Sequence, residues 1–160
     1  MELKTVRIEP LAETNIVIGQ AHFIKAAEDL AEAMVNSVPS ARFGLAFCEA
    51  SGPCLVRTEG NDADLVAAAG NAALLLGAGH SFVILMRGAF PINVLKSIRD
   101  VYEVCNIFCA TANPVEVVIA ETELGRGIMG VIDGERPHGI ESETDRRERR
   151  AFLRKIGYKY

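Results

Sequence analysis

Six consecutive residues in the middle of the chain, Ser81 to Met86, read Ser-Phe-Val-Ile-Leu-Met, with no charge and no alternation of polarity. A strand with water on one face alternates apolar and polar side chains, whereas a continuous apolar run belongs to an internal strand covered on both faces. A chain organised around such a strand must supply covering elements on both sides. The length permits this: 160 residues, 49% of them hydrophobic, bury roughly two thirds of their unfolded surface, which suits one domain spanning 1–160.

The flanking sequence alternates β-like and α-like segments. Short β-rich runs fall at Lys4 to Glu9 and Asn15 to Ile18. From about His22 to Ser37 the apolar positions Phe23, Ala27, Leu30 and Met34 follow helical spacing. Arg42 to Glu49 reads as a strand, then a Ser51-Gly52-Pro53 turn and a second strand, Cys54 to Thr58. Asn61 is placed to cap a helix with acids in its first turn, and Gly77 to stop it. Pro91 suits the first turn of a helix running through Ile92, Leu95, Ile98 and Tyr102. Strands are expected at Val104 to Ala110, Val115 to Glu121 and Ile128 to Ile132, with a hairpin turn at Gly125-Arg126-Gly127. Ser142 with Asp145 three residues on marks the start of a final helix at about Glu143. The expected fold is a three-layer α/β domain with a mixed β-sheet.

Several function classes are excluded. The longest apolar stretch, Leu65 to Ala78, is interrupted by Asn71 and falls short of the ~20 residues of a membrane span. Met1-Glu2-Leu3-Lys4 carries charge where a signal peptide needs an apolar segment, so the chain is expected in the cytoplasm and away from membranes. The net charge of −4 argues against nucleic acid as the main partner. A basic stripe in the tail, from Arg146 to Lys159, is the only support for RNA binding and reads equally as a solvated or subunit-facing helix surface. The four cysteines, Cys48, Cys54, Cys105 and Cys109, match no zinc spacing and are expected to be free thiols, with no protein-bound metal site. No phosphate loop, dinucleotide-binding glycine motif or esterase elbow is present.

The remaining candidates lie in connections rich in Gly, Asn, Arg and acid. In α/β sheets ligands bind outside the carboxyl ends of strands, which selects the loop holding Ser51, the Arg87-Gly88-Ala89-Phe90 segment and the turn holding Asn113. Arg87 with the free amides from Phe90 to Asn93 would form a compact site for one phosphate; the alternative is a plain ion pair at the sheet rim. Glu121 and Glu123 would share a face if their strand continues, and could grip a ribose diol, a magnesium ion or Arg126 itself. His22 and His80 are the histidines with possible chemistry. His80 would need only an exposed ring nitrogen and an orienting partner to act as a nucleophile. It lies, however, at the amino end of its strand, the edge ligands usually avoid, and on the residues alone it reads first as a structural histidine.

The chain also carries long, specific motifs: Gly-Gln-Ala-His-Phe-Ile-Lys (19–25), Arg42 to Gly52, Gly-Asn-Asp (60–62), Gly79 to Leu95, Phe108 to Pro114, Ala120 to Ile128 and Leu153 to Tyr158. Over nearly its whole length it resembles the small prokaryotic family of adenosine-specific kinases. That resemblance implies binding of adenosine or AMP, trimeric assembly and a phosphorylated histidine. His80 is the favoured match for that histidine and His22 the second choice. Two readings follow: a phosphotransferase, with magnesium as a candidate cofactor, or a non-catalytic adenosine or AMP sensor. Six extended residues separate His80 from Arg87 by roughly 20 Å, so joint action of the two requires a site shared between subunits.

Overall fold

The computed structural model describes residues 1–9 and 11–160. In chain order the elements are β1 (Glu2–Ile8), β2 (Asn15–Ala21), α1 (Ala26–Ser37), β3 (Arg42–Cys48), β4 (Val56–Gly60), α2 (Ala63–Leu76), β5 (Ser81–Arg87), α3 (Pro91–Arg99), β6 (Val104–Thr111), β7 (Val115–Glu121), β8 (Arg126–Asp133) and α4 (Glu143–Lys155). Five strands form one sheet in the order β4-β3-β5-β2-β6, and three form a second in the order β1-β7-β8.

The apolar run Ser81 to Met86 becomes β5, the middle strand, and is buried throughout. Its side chains alternate between two cores. Phe82, Ile84 and Met86, with Phe43, Leu45 and Phe47 of β3, face α1 and α3. Val83 and Leu85, with Ile16 and Ile18 of β2, face α2 and the inner side of β7. The layers are therefore α1 and α3, then the five-stranded sheet, then α2 beside the three-stranded sheet. Each fully buried Phe or Ile in the middle layer contributes about 1.5–3 kcal/mol, and both faces contribute.

The α/β architecture expected from the sequence is the one the chain adopts. The sheet itself differs in detail: two sheets replace one mixed sheet, and among the described residues the pairings between named strands are all antiparallel. A buried apolar run reports cover on both faces, which a parallel strand and an internal antiparallel strand share, so it carries no strand direction. Gly44 is what lets α2 lie close to the sheet, since a Cβ there would sit 2.1 Å from the Leu65 carbonyl carbon.

Local signals held at most element ends. Pro91 opens α3, Gly77 ends α2 in the left-handed region at φ +57°, and the Ser142 side chain accepts from the Asp145 amide 3.2 Å away. The cap of α2 is Asp62 rather than Asn61. Asn61 instead accepts from the Phe43 amide at 2.8 Å and donates to the Ala41 carbonyl at 2.8 Å, tying the end of β4 back to β3. Helix α1 begins at Ala26, not near His22, because Phe23 takes φ +74° and breaks the helical path. Among the described residues, no helix is long and apolar enough to cross a membrane.

Candidate functional site

The antiparallel pairing sorts the candidate residues onto the two ends of the five-stranded sheet. At the end where β5 begins lie His80, His22 after β2, and Ser51 in the β3–β4 turn. The start of β8 joins them there, because Arg126 bridges to Ala78. At the end where β5 finishes lie Arg87, the N-terminus of α3 with Phe90 and Asn93, and Asn113 between β6 and β7. The rule that picks the carboxyl ends of strands presupposes a parallel sheet with one carboxyl edge. Here strands run both ways, so the three loops it selects are split between the two ends.

His80 occupies the left-handed region at φ +62°, a conformation that costs a non-glycine residue about 1–3 kcal/mol and persists only where the surroundings enforce it. Its backbone is held on both sides: its amide donates to the Cys48 carbonyl at 2.8 Å, and its carbonyl accepts from the Ala21 amide at 2.9 Å. The half-buried imidazole stacks on Phe47 at 5.8 Å between ring centres, and meets the exposed His22 ring edge-on at 6.1 Å. His22 is fixed in turn by its amide, which donates to the Glu103 carbonyl at 2.6 Å. Phe47 was not singled out from the sequence, because in a run of buried strand residues nothing marks the one that lies under a ring.

A cleft of about 620 Å³ opens between the β3–β4 turn, the end of α2 and the β7–β8 hairpin, and neither His80 nor His22 is among the residues that line it. Its walls are apolar and glycine-rich, including Leu55, Leu74, Gly79 and Gly127, with Glu49 and Arg126 as the charged members. Phe47 belongs to the core under α1 and α3, whereas the cleft lies by Cys48 and α2. Gly79, adjacent to His80, is the link between imidazole and cleft.

Each charged residue of the cleft is already held by partners of its own. Arg126 Nε donates to Glu121 Oε2 at 2.6 Å and its Nη1 to the Leu75 carbonyl at 3.2 Å. Lys4 reaches the same carboxylate at 3.1 Å. The hydrogen bond from Lys4, then that from Arg126, holds the Glu121 carboxyl below its ordinary range. Glu49 is lowered likewise, first by the Leu55 amide at 2.8 Å and then by Arg57 at 2.7 Å. β7 ends at Glu121, so Glu123 lies exposed in the turn and the two carboxylates do not form a pair on one face. Of the partners considered for Glu121, it is Arg126 that binds it. Ser51 is exposed at the tip of its turn. Among the described residues, no group of three His, Cys, Asp or Glu could hold a metal ion.

At the opposite end polar groups are turned onto the chain itself. Arg87 Nε donates to the Ala12 carbonyl at 3.3 Å, and Asn15 Nδ2 to the Ala89 carbonyl at 3.1 Å. The Phe90 amide, one of those assigned to an anion, donates to Asn93 Oδ1 at 2.9 Å. Asn113 donates to Asp133 at 3.0 Å and stays outside the cleft between Leu11 and Phe90, which has a volume of about 470 Å³. All four cysteines are free. Burial pushes the Cys109 thiol up to about 11 and raises Cys48, while Cys54 is exposed and lines the cleft that Gly79 and Arg126 border.

Comparison with known proteins is consistent with this architecture. The structure of the PH1918 protein from Pyrococcus horikoshii OT3 is similar, with a TM-score of 0.95 and 44% identity over 99% of this chain and 98% of that one. No curated protein matches the chain. The family model described as adenosine specific kinase matches residues 6–159. With that match running from β1 to the end of the tail, the chain belongs to the adenosine specific kinase family.

Proposed function

We propose that the protein binds adenosine or AMP in the glycine-lined cleft and that His80 carries a phosphoryl group to or from that nucleoside. The observation that supports this reading is the placement of His80. A strained backbone conformation, tied down on both sides, holds an imidazole against a second, exposed histidine, one residue from Gly79 of the cleft wall. In the first half-reaction a ring nitrogen attacks the terminal phosphorus of a nucleoside polyphosphate; a P–N bond forms and the P–O bond to the leaving group breaks. In the second half, a hydroxyl of adenosine attacks the same phosphorus and the P–N bond breaks. The ring then takes up the proton that the hydroxyl loses. In this reading His22, whose ring centre lies 6.1 Å from that of His80, relays the proton through an intervening water.

The cleft suits a nucleoside or its monophosphate better than a triphosphate. Its apolar walls accept a purine, and its lining offers one cation, Arg126, already paired with Glu121. That pairing also favours a second reading, in which the protein senses AMP without turnover. Incubation with γ-labelled ATP and adenosine distinguishes the two. Acid-labile label on the protein together with AMP formation supports transfer. Tight AMP binding with neither product selects the sensor. ATP binding tighter than AMP by calorimetry would overturn the cleft assignment. The family's trimeric assembly is part of the same proposal.

A further inference from the structure

Helix α4 is well formed and covers nothing. Ser142 and Asp145 cap it, and Arg146 and Arg149 pair with Glu141. Yet none of its residues is buried, and Phe152 (57% exposed) and Ile156 (45%) stand in water one turn apart. Thirteen residues of isolated helix are marginal in water, and an amphipathic helix is stabilised mainly by burying its apolar side.

The three-stranded sheet offers a second uncovered surface. Its inner face packs Val117, Ile119 and Ile128 against α2. Its outer face presents Leu3 (64% exposed), Met129 (65%) and Ile132 (50%) around a floor of small residues. Leu3 is in register with Ala120, and Ala120 with Gly127; Thr5 is in register with Val118, and Val118 with Gly130. A Cβ added at Gly127 or Gly130 would meet nothing within 4 Å, so this floor is open. The two surfaces are complementary in charge as well. Residues 141–160 carry seven Lys and Arg against four Asp and Glu, and the preceding 140 residues ten against seventeen. Glu116, in register with Ile132, and Glu9 just past β1 lie on or beside the outer face, with Arg7 as its exposed cation.

We propose that α4 of one copy packs across the outer face of the β1-β7-β8 sheet of a second copy, Phe152 and Ile156 on the small-residue floor and the basic residues toward the acidic margin. The contact is heterologous, since each copy gives one helix and receives another, and such contacts close into a ring when the rotation allows. The inference rests on the association proposed above, which sedimentation of the unaltered chain tests by itself.

Sedimentation velocity at micromolar concentration is the experiment, on the full chain and on two variants, Phe152→Asp with Ile156→Asp, and Leu3→Asp with Met129→Asp. All four positions are exposed, and circular dichroism checks that both variants remain folded. The expected result is an oligomer for the unaltered chain, monomers for both variants, and a heterodimer when the two variants are mixed, because one intact helix then meets one intact sheet. An unaltered chain that is monomeric overturns the association and the docking together. An oligomer that survives the sheet substitutions overturns the docking alone, and helix-to-helix pairing then takes its place. Hydrogen exchange gives a reading without substitutions. Dilution should raise exchange in β1 and in α4 together, and a rise in only one of them overturns the pairing.

Discussion

Where β5 begins, polar side chains face one another or an open cleft; where it finishes, they are spent on the chain's own backbone. His80 and His22 meet ring to ring with no hydrogen bond from either imidazole among the described residues, and Arg126, paired with Glu121, lines a cavity of about 620 Å³. At the other end Asn15, Asn93 and Arg87 each satisfy a backbone group, closing the loop before β2 onto the start of α3. Non-glycine residues at positive φ occur at both ends, Phe23, Cys54 and His80 at the first and Glu13 at the second, so backbone strain does not separate them; the side-chain partners do. One end is thus arranged for chemistry and the other for holding the sheet together. Arg87 is the exception, since only its Nε is engaged within the chain among the described residues.

The largest effect expected from this contrast concerns His80. His80→Asn keeps polar bulk but no nucleophilic ring nitrogen, and should lower acid-labile labelling at least about 100-fold, the scale on which covalent catalysis is lost. Arg87→Ala tests the exception. If the guanidinium serves a neighbour's His80, this variant also loses labelling, and mixing the two variants should restore part of it through hybrid oligomers. No recovery after verified subunit exchange would mean that each site lies within one chain.

Next in size is a change confined to the structural end. Asn15 is buried, and Asn15→Ala would leave the Ala89 carbonyl without its donor, costing about 1–3 kcal/mol. Denaturant titration should show that loss while labelling per folded molecule stays unchanged. His22→Gln, at an exposed position, should do the reverse and shift stability by less than about 0.5 kcal/mol. A stability loss at His22 equal to that at Asn15 would erase the distinction between the ends.

The sequence made the layers legible and the ends illegible, for physical reasons. The apolar run in β5 announced cover on both faces, and Pro91, Gly77 and Ser142 announced helix ends, because these signals act within a few residues. Strand direction depends on partners far along the chain, and no local period encodes it. The division of Arg87 from His80 followed from extended-strand length, since both flank one strand. That Ser51 and Arg126 would join His80, while Asn113 would not, required the antiparallel register. The stack of His80 on Phe47 had no sequence signal at all.

A smaller effect concerns the thiols. Alkylation needs the thiolate, so Cys109, raised to about 11, and buried Cys48 should stay unreacted at neutral pH while Cys54 is modified. Cys54 lines the cleft, so saturating AMP should slow its alkylation several-fold. Mass spectrometry of the labelled peptides checks both outcomes. A rate at Cys54 indifferent to AMP would move the nucleoside out of the cleft and toward the Arg87 end.

The smallest effect is the response to acid. Glu121 and Glu49 at the His80 end both sit below an ordinary value of 4.5, Glu121 through Lys4 and then Arg126, Glu49 through the Leu55 amide and then Arg57. A carboxylate with a depressed folded pKa stabilises the fold above its unfolded value, and that contribution disappears as pH falls through the folded one. Glu121 is exposed enough for solvent to screen it, so its loss should be gradual, whereas the Glu49 side chain is only 9% exposed and is screened less. The Arg87 end has its own depressed acid, Asp62 at the start of α2, held first by the Leu65 amide, but its ordinary value is lower, 3.8. The hairpin around Glu121 should therefore loosen first as pH drops below about 4.5, and the start of α2 only at lower pH. Hydrogen exchange corrected for intrinsic rates measures this order, and Glu121→Gln should remove the early step. If both segments open at one pH in the unaltered chain, the two ends are one cooperative unit against acid, and their difference is confined to chemistry.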